Sequence, residues 1–97
     1  MPEIALIGFE GLDESELKSI NEILVKRLKK LKIDYSLLRI NLKQHKHAKH
    51  FMHELTVNLS RAKGRPILAK ISDKNLYKAL DKVMERLLSE VKHKIRK

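Results

Sequence analysis

The chain contains no cysteine, which excludes disulfides, thiolate metal sites and cysteine nucleophiles, and favours a reducing, cytoplasmic setting. Stability must therefore come from packing. No segment approaches the ~18 apolar residues that a membrane span needs. The opening MPEIALIGFEGLDESE has no base ahead of its short apolar run, so neither export nor membrane insertion is predicted. Short catalytic signatures are missing as well, with no GxSxG, P-loop or HExxH. Among the acids, Glu54 falls on the open face of the expected sheet. Asp81 lies beside Lys78 and Lys82, where ion pairing is the ordinary explanation. The sequence reads as non-enzymatic, with no cofactor, metal or small-molecule substrate. Aromatic residues make up 4%. Tyr35, Phe51 and Tyr77 fall at strand starts or in the core pattern, so no aromatic stacking platform is expected.

What is present is positive charge, unevenly placed. The 97 residues, one domain's length over 1–97, carry a net charge of +10. Residues 1–24 hold six acids (Glu3, Glu10, Asp13, Glu14, Glu16, Glu22) against Lys18, so the remainder is +15. Such an excess draws in polyanions and repels itself in the compact state. A merely soluble, lysine-rich surface would show more balanced signs.

Hydrophobic periodicity divides the chain into six elements. Ile4, Ala5, Leu6, Ile7 and Phe9 form a short apolar run ended by Gly8 and Gly11, a buried strand and a turn. Asp13 with Glu16 resembles a capping box. Leu17, Ile20, Leu24, Leu28 and Leu31 then recur at helical spacing, predicting a helix over about 14–32. Its acids come first and its bases last, as the helix dipole favours. Leu38, Ile40 and Leu42 alternate with Arg39, Asn41 and Lys43 in a second strand. Phe51, His53, Leu55, Val57 and Leu59 alternate in a third, and Ile67, Ala69 and Ile71 in a fourth after a Lys63-Gly64 turn. Ser72 or Asp73 caps a last helix with Leu76, Leu80, Val83, Leu87 and Val91 inward, and Ala79, Met84 and Leu88 at its margins. The expected fold is α+β, β-α-β-β-β-α: a four-stranded mixed sheet with both helices packed on one face and a polar second face.

Tracing chain directions through that order brings three basic segments to one pole: the end of the first helix (Lys26, Arg27, Lys29, Lys30), the turn Arg61 to Arg65 with Lys63, and the C-terminal turns with Lys92 and Arg96. Lys74, Lys78 and Lys82 fall opposite the apolar stripe of the last helix. On one helix this is an ordinary solvated face, but joined to the pole it forms a track for phosphates. The partner expected is structured RNA, bound through backbone and shape.

Two local motifs stand out. His45, His47 and His50, with Lys46 and Lys49, are predicted to form a hairpin tip. Zinc is disfavoured there by the lysines and the absence of carboxylates, and pH-sensitive phosphate contacts are the better expectation. Gly8-Phe9-Glu10-Gly11 spells GxxG, but it joins a strand to a helix among acids. It reads as a turn rather than a phosphate clamp.

At the junction of the fourth strand and last helix, Asp73, Leu76-Tyr77, Ala79, Leu80-Asp81 and Leu87 follow one another in an order that resembles the ribosome hibernation-promoting factors, also called ribosome-associated inhibitors. Gly8, Leu12 and a helix ending Lys-Arg-Leu-Lys-Lys-Leu agree more loosely. The chain departs from that family at the acidic Glu10 and at the histidine-rich tip. With no dimerisation extension following, it resembles the short form. The resemblance implies binding in the small ribosomal subunit's tRNA and mRNA channel, with Lys74, Lys78, Lys82 and Arg86 facing ribosomal RNA and translation inhibited. Two alternatives remain: a general double-stranded RNA or DNA binder, and an interaction module or homodimer using an open sheet edge.

Overall fold

The computed structural model describes residues 3–31, 34–47 and 49–95, with positions 47, 50, 94 and 95 described by their backbone alone. The elements are β1 (Glu3–Ile7), α1 (Glu14–Leu28), β2 (Leu37–His47), β3 (His50–Ser60), β4 (Ile67–Asp73) and α2 (Leu76–Ile95). The sheet order is β1-β2-β3-β4, with β1 parallel to β2 and the other pairs antiparallel. This is the expected β-α-β-β-β-α arrangement.

The capping box at the start of α1 forms with Asp in the Ser/Thr place. The Asp13 carboxylate accepts the Glu16 N–H at 2.8 Å, and the Asp13 N–H donates to Glu16 Oε1 at 3.2 Å. Such a cap contributes about 1 kcal/mol. The helix stops at Leu28 rather than near 32. Beyond the Lys29 N–H to Val25 O bond, Lys30 bonds to Arg27 O and Leu31 to Leu28 O, both at 3.0 Å and both three residues back. This tightened turn keeps Leu31 against the core, which is why its apolar period runs past the end of the helix.

The start of α2 also differs from expectation. Asp73 closes β4, paired with His53, and the cap is Asn75, whose Oδ1 accepts the Lys78 N–H at 3.1 Å. Asp73 Oδ1 instead accepts the Asn75 N–H at 2.9 Å, a side-chain turn that carries the chain from strand to helix. The inward stripe of α2 is buried as expected. Ala79 and Met84, expected at its margin, are fully buried too, because the helix touches both the sheet and α1.

One apolar cluster joins Ile20 and Leu24 of α1, the stripe of α2, and the inward residues Leu38, Ile40, Leu42, Leu55, Val57, Leu59, Ile67 and Ala69. The opposite sheet face carries Arg39 against Asn58, Asn41 against Thr56 and Lys43 against Glu54. Gly8 has a φ of +87°, and a Cβ there would lie 2.2 Å from the Leu42 carbonyl oxygen. It turns the chain tightly enough for Phe9 to plug the core. No described helix is long and apolar enough to cross a membrane.

Register makes β2 and β3 longer than their neighbours. The partner of β1 ends at Asn41, that of β4 begins at His53, yet β2 and β3 stay paired out to His47 opposite His50. A two-stranded arm thus projects roughly 10 Å, three paired residues at strand rise, past the other strands. The expected tip over 45–50 is in fact mostly strand. Phe51, expected in the core, is 58% exposed. It keeps the inward side of the alternation, but on a stretch beyond the core.

Candidate nucleic-acid interface

Two hydrogen bonds tie together the end of the molecule where the three basic segments finish. Ser36 N–H donates to Ser60 O at 2.9 Å and Glu3 N–H to Ser36 O at 3.1 Å, so the chain leaving α1 lies beside the end of β3 and its turn. A shallow groove lined by Arg27, Lys30, Glu85, Leu88, Ser89 and Lys92 joins the end of α1 to the last turns of α2. Lys26, Lys29, Lys30, Lys63, Arg65 and Lys92 are exposed there, and none makes an ion pair among the described residues. Arg96 lies outside the described residues.

Arg27, expected among these contacts, points the other way. Its Nε donates to Asp81 Oδ1 at 2.7 Å and Nη2 reaches Glu85 Oε1 at 3.2 Å. The side chain is only 16% exposed. The hydrogen bond it donates to Asp81 leads in raising its pKa, against the opposing effect of burial. Asp81 therefore pairs with α1 rather than with Lys78 and Lys82. Asp81 and Glu85 of α2 face α1, whereas Lys78, Lys82 and Arg86 lie on the outward side.

Arg61 is likewise drawn into structure. Its Nη2 donates to Arg65 O at 3.0 Å, closing the turn. Gly64, at a φ of +97°, lies under the guanidinium, with Nη2 2.7 Å from where a Cβ would sit. Lys63 and Arg65 are the charges this turn displays.

Lys74, just ahead of α2, and Lys78 and Arg86 on it are exposed and form no ion pair among the described residues. Lys82 differs: its Nζ binds Asp73 Oδ2 at 2.7 Å. The Asp73 pKa is lowered, first by the Asn75 backbone hydrogen bond and then by Lys82. This pair fastens the end of β4 to α2.

The arm holds the third basic group. His45 is exposed, with Nε2 3.9 Å from Glu54 Oε2, while Lys70 Nζ lies 3.7 Å from Glu54 Oε1. On the other side, Gln44 Nε2 and His53 Nδ1 are 3.4 Å apart. His47 and His50 pair through their backbones, and their side chains lie outside the described residues. Among the described residues no three His, Asp or Glu side chains converge as a metal ion would require. Lys46 and Lys49 belong to the stretch expected to meet phosphates, whereas Lys43 and Phe51 were expected on the polar sheet face and in the core pattern. Apolar alternation breaks between Leu42 and Phe51, where Gln44 and Lys46 take the inward positions, so periodicity could not reveal that both strands run on through this stretch.

No family model and no curated protein matches the sequence. Among solved structures, the chain is similar to a ribosomal subunit interface protein from Coxiella burnetii, with 21% identity, a TM-score of 0.73 and 98% of this chain covering 99% of that one. It is also similar to the N-terminal domain of Thermus thermophilus Protein Y, with 18% identity, a TM-score of 0.57, and 96% and 98% coverage. At these identities the likeness is one of fold, and it runs end to end in both.

Proposed function

We propose that the protein is a non-enzymatic, ribosome-associated translation inhibitor of the hibernation type, acting in the cytoplasm through phosphate contacts with small-subunit ribosomal RNA in the tRNA and mRNA channel. The observation that carries this reading is the gathering of Lys26, Lys29, Lys30, Lys63, Arg65 and Lys92, exposed and without ion pairs among the described residues, at one end of the fold. Lys74, Lys78 and Arg86 extend that surface along α2. Cations so placed displace counterions from a phosphate backbone and read its shape rather than its bases. The choice of the ribosome is supported by the end-to-end likeness to a protein named for the ribosomal subunit interface, and by the residue order from Asp73 to Leu87.

The test is sedimentation with purified small subunits over a salt series. The wild type should co-sediment at low salt and be released steeply as salt rises. A variant combining Lys26→Glu, Lys30→Glu, Lys63→Glu and Lys78→Glu should not co-sediment. Absence of wild-type co-sedimentation at low salt would sink the proposal. Because phosphates are common to every duplex, a general double-stranded RNA or DNA binder is the second reading. It predicts equal affinity for an unrelated duplex and for the subunit.

A further inference from the structure

From Lys43 to His53 the chain carries three lysines, four histidines and no acid, and it forms the arm that leaves the sheet. Phe51 sits on this arm at 58% exposure. It is opposite Lys46 in the register, so the two side chains share a face. His53, two residues along, lies on the same face and is held by Gln44. A single exposed phenylalanine is unremarkable on a protein surface. This one lies on a strand pair covered by no other strand, and its neighbours on the arm from Lys43 to His53 are basic or neutral.

We infer that Phe51 is a stacking site for an unpaired nucleobase of RNA, with Lys46 and its neighbouring cations holding the flanking phosphates. Two requirements meet here: an aromatic face able to cover a base, and positive charge within one strand spacing to neutralise the backbone that carries it. A protein partner would have to bury the lysines to reach the ring. An anionic membrane would need several apolar anchors, where the arm offers one. The site rests on the RNA-binding reading and deepens it, adding single-strand capture to the phosphate contacts of the opposite end. It also replaces the expectation, drawn from the core pattern, that no aromatic was free to stack.

The experiment measures fluorescence anisotropy of a labelled, unstructured RNA 12-mer and of an abasic strand of equal length at matched salt. Wild type, Phe51→Leu, Phe51→Tyr and Lys46→Met are compared, with thermal melts to confirm folding and small-subunit sedimentation run in parallel. Wild type should prefer the base-bearing strand. Phe51→Leu should lose about tenfold or more in affinity for it while binding the abasic strand as wild type does. Phe51→Tyr should retain the preference. Lys46→Met should weaken both strands alike and lower the salt slope by about one. The inference is overturned by equal wild-type affinity for the two strands, by no oligonucleotide binding, by an unchanged Phe51→Leu, or by a Phe51 dependence seen only in subunit sedimentation. Base-dependent binding without subunit association would instead leave this site standing and reject the ribosomal role.

Discussion

Where α1, the β3–β4 turn and α2 finish, the bases come from segments far apart in sequence and share their surroundings with acids. In the arm they come from one uninterrupted stretch. The compact end uses part of its charge for itself: Arg27 straps the two helices through Asp81 and Glu85, and Arg61 closes its turn. The arm lies beyond the core and has no such structural demand on Lys46 or Lys49. A basic residue near packed elements is therefore as readily a structural tie as a ligand contact. Position relative to the core separates the two better than charge does.

The largest expected effect on this comparison is the fourfold charge reversal, which should lower small-subunit affinity by at least about 100-fold at moderate salt with little change in melting temperature. Next comes Gly8→Ala, at the root of the arm. A side chain there takes a positive φ and meets the Leu42 carbonyl, so denaturant melts should show a loss of about 2–3 kcal/mol. Hydrogen exchange should quicken around Leu42 first.

Arg27→Met should cost about 1 kcal/mol, allowing for solvent around the half-exposed Asp81 and Glu85. RNA affinity should barely move, whereas Lys30→Met should weaken RNA binding and spare stability. The reverse pattern would undo the division between ties and contacts. Smallest is a pH effect at the β4–α2 junction. The Asp73 pKa is depressed below its ordinary 3.8, so its contribution is fully present above about pH 4. It should fade as pH falls through the lowered value, and Asp73→Asn should flatten that acid limb of the melting curve.

The element order and the inward residues of β2 to β4 and of both helices were legible because each rests on a period that the chain repeats several times, whereas β1, expected to be buried, is an edge strand that exposes Ile4 and Ile7. Ends were harder. The apolar spacing of α1 continues to Leu31 although the hydrogen bonding changes at Lys29, and Ser72 and Asp73, the caps expected, both stay in β4 and leave the cap to Asn75. For the candidate interface, sequence could bring three segments to one end, since chain direction alone does that. It could not show that Arg27 turns inward, because its partners Asp81 and Glu85 lie more than fifty residues away. Phe51 was misplaced for a different reason: alternation tells which side a residue faces but not whether anything covers that side.

The pairing of His47 with His50 leaves only residues 48 and 49 between the strands, whereas Glu3 meets Leu37 across the whole of α1. Closing the shorter loop loses far less chain entropy, so β2 and β3 should join before β1 docks, giving early amide protection in pulse-labelled refolding. A one-residue slip at that first encounter would turn Leu55, Val57 and Leu59 toward water. The arm thus acts in time as well as in space, setting during folding the alignment on which the later strands assemble.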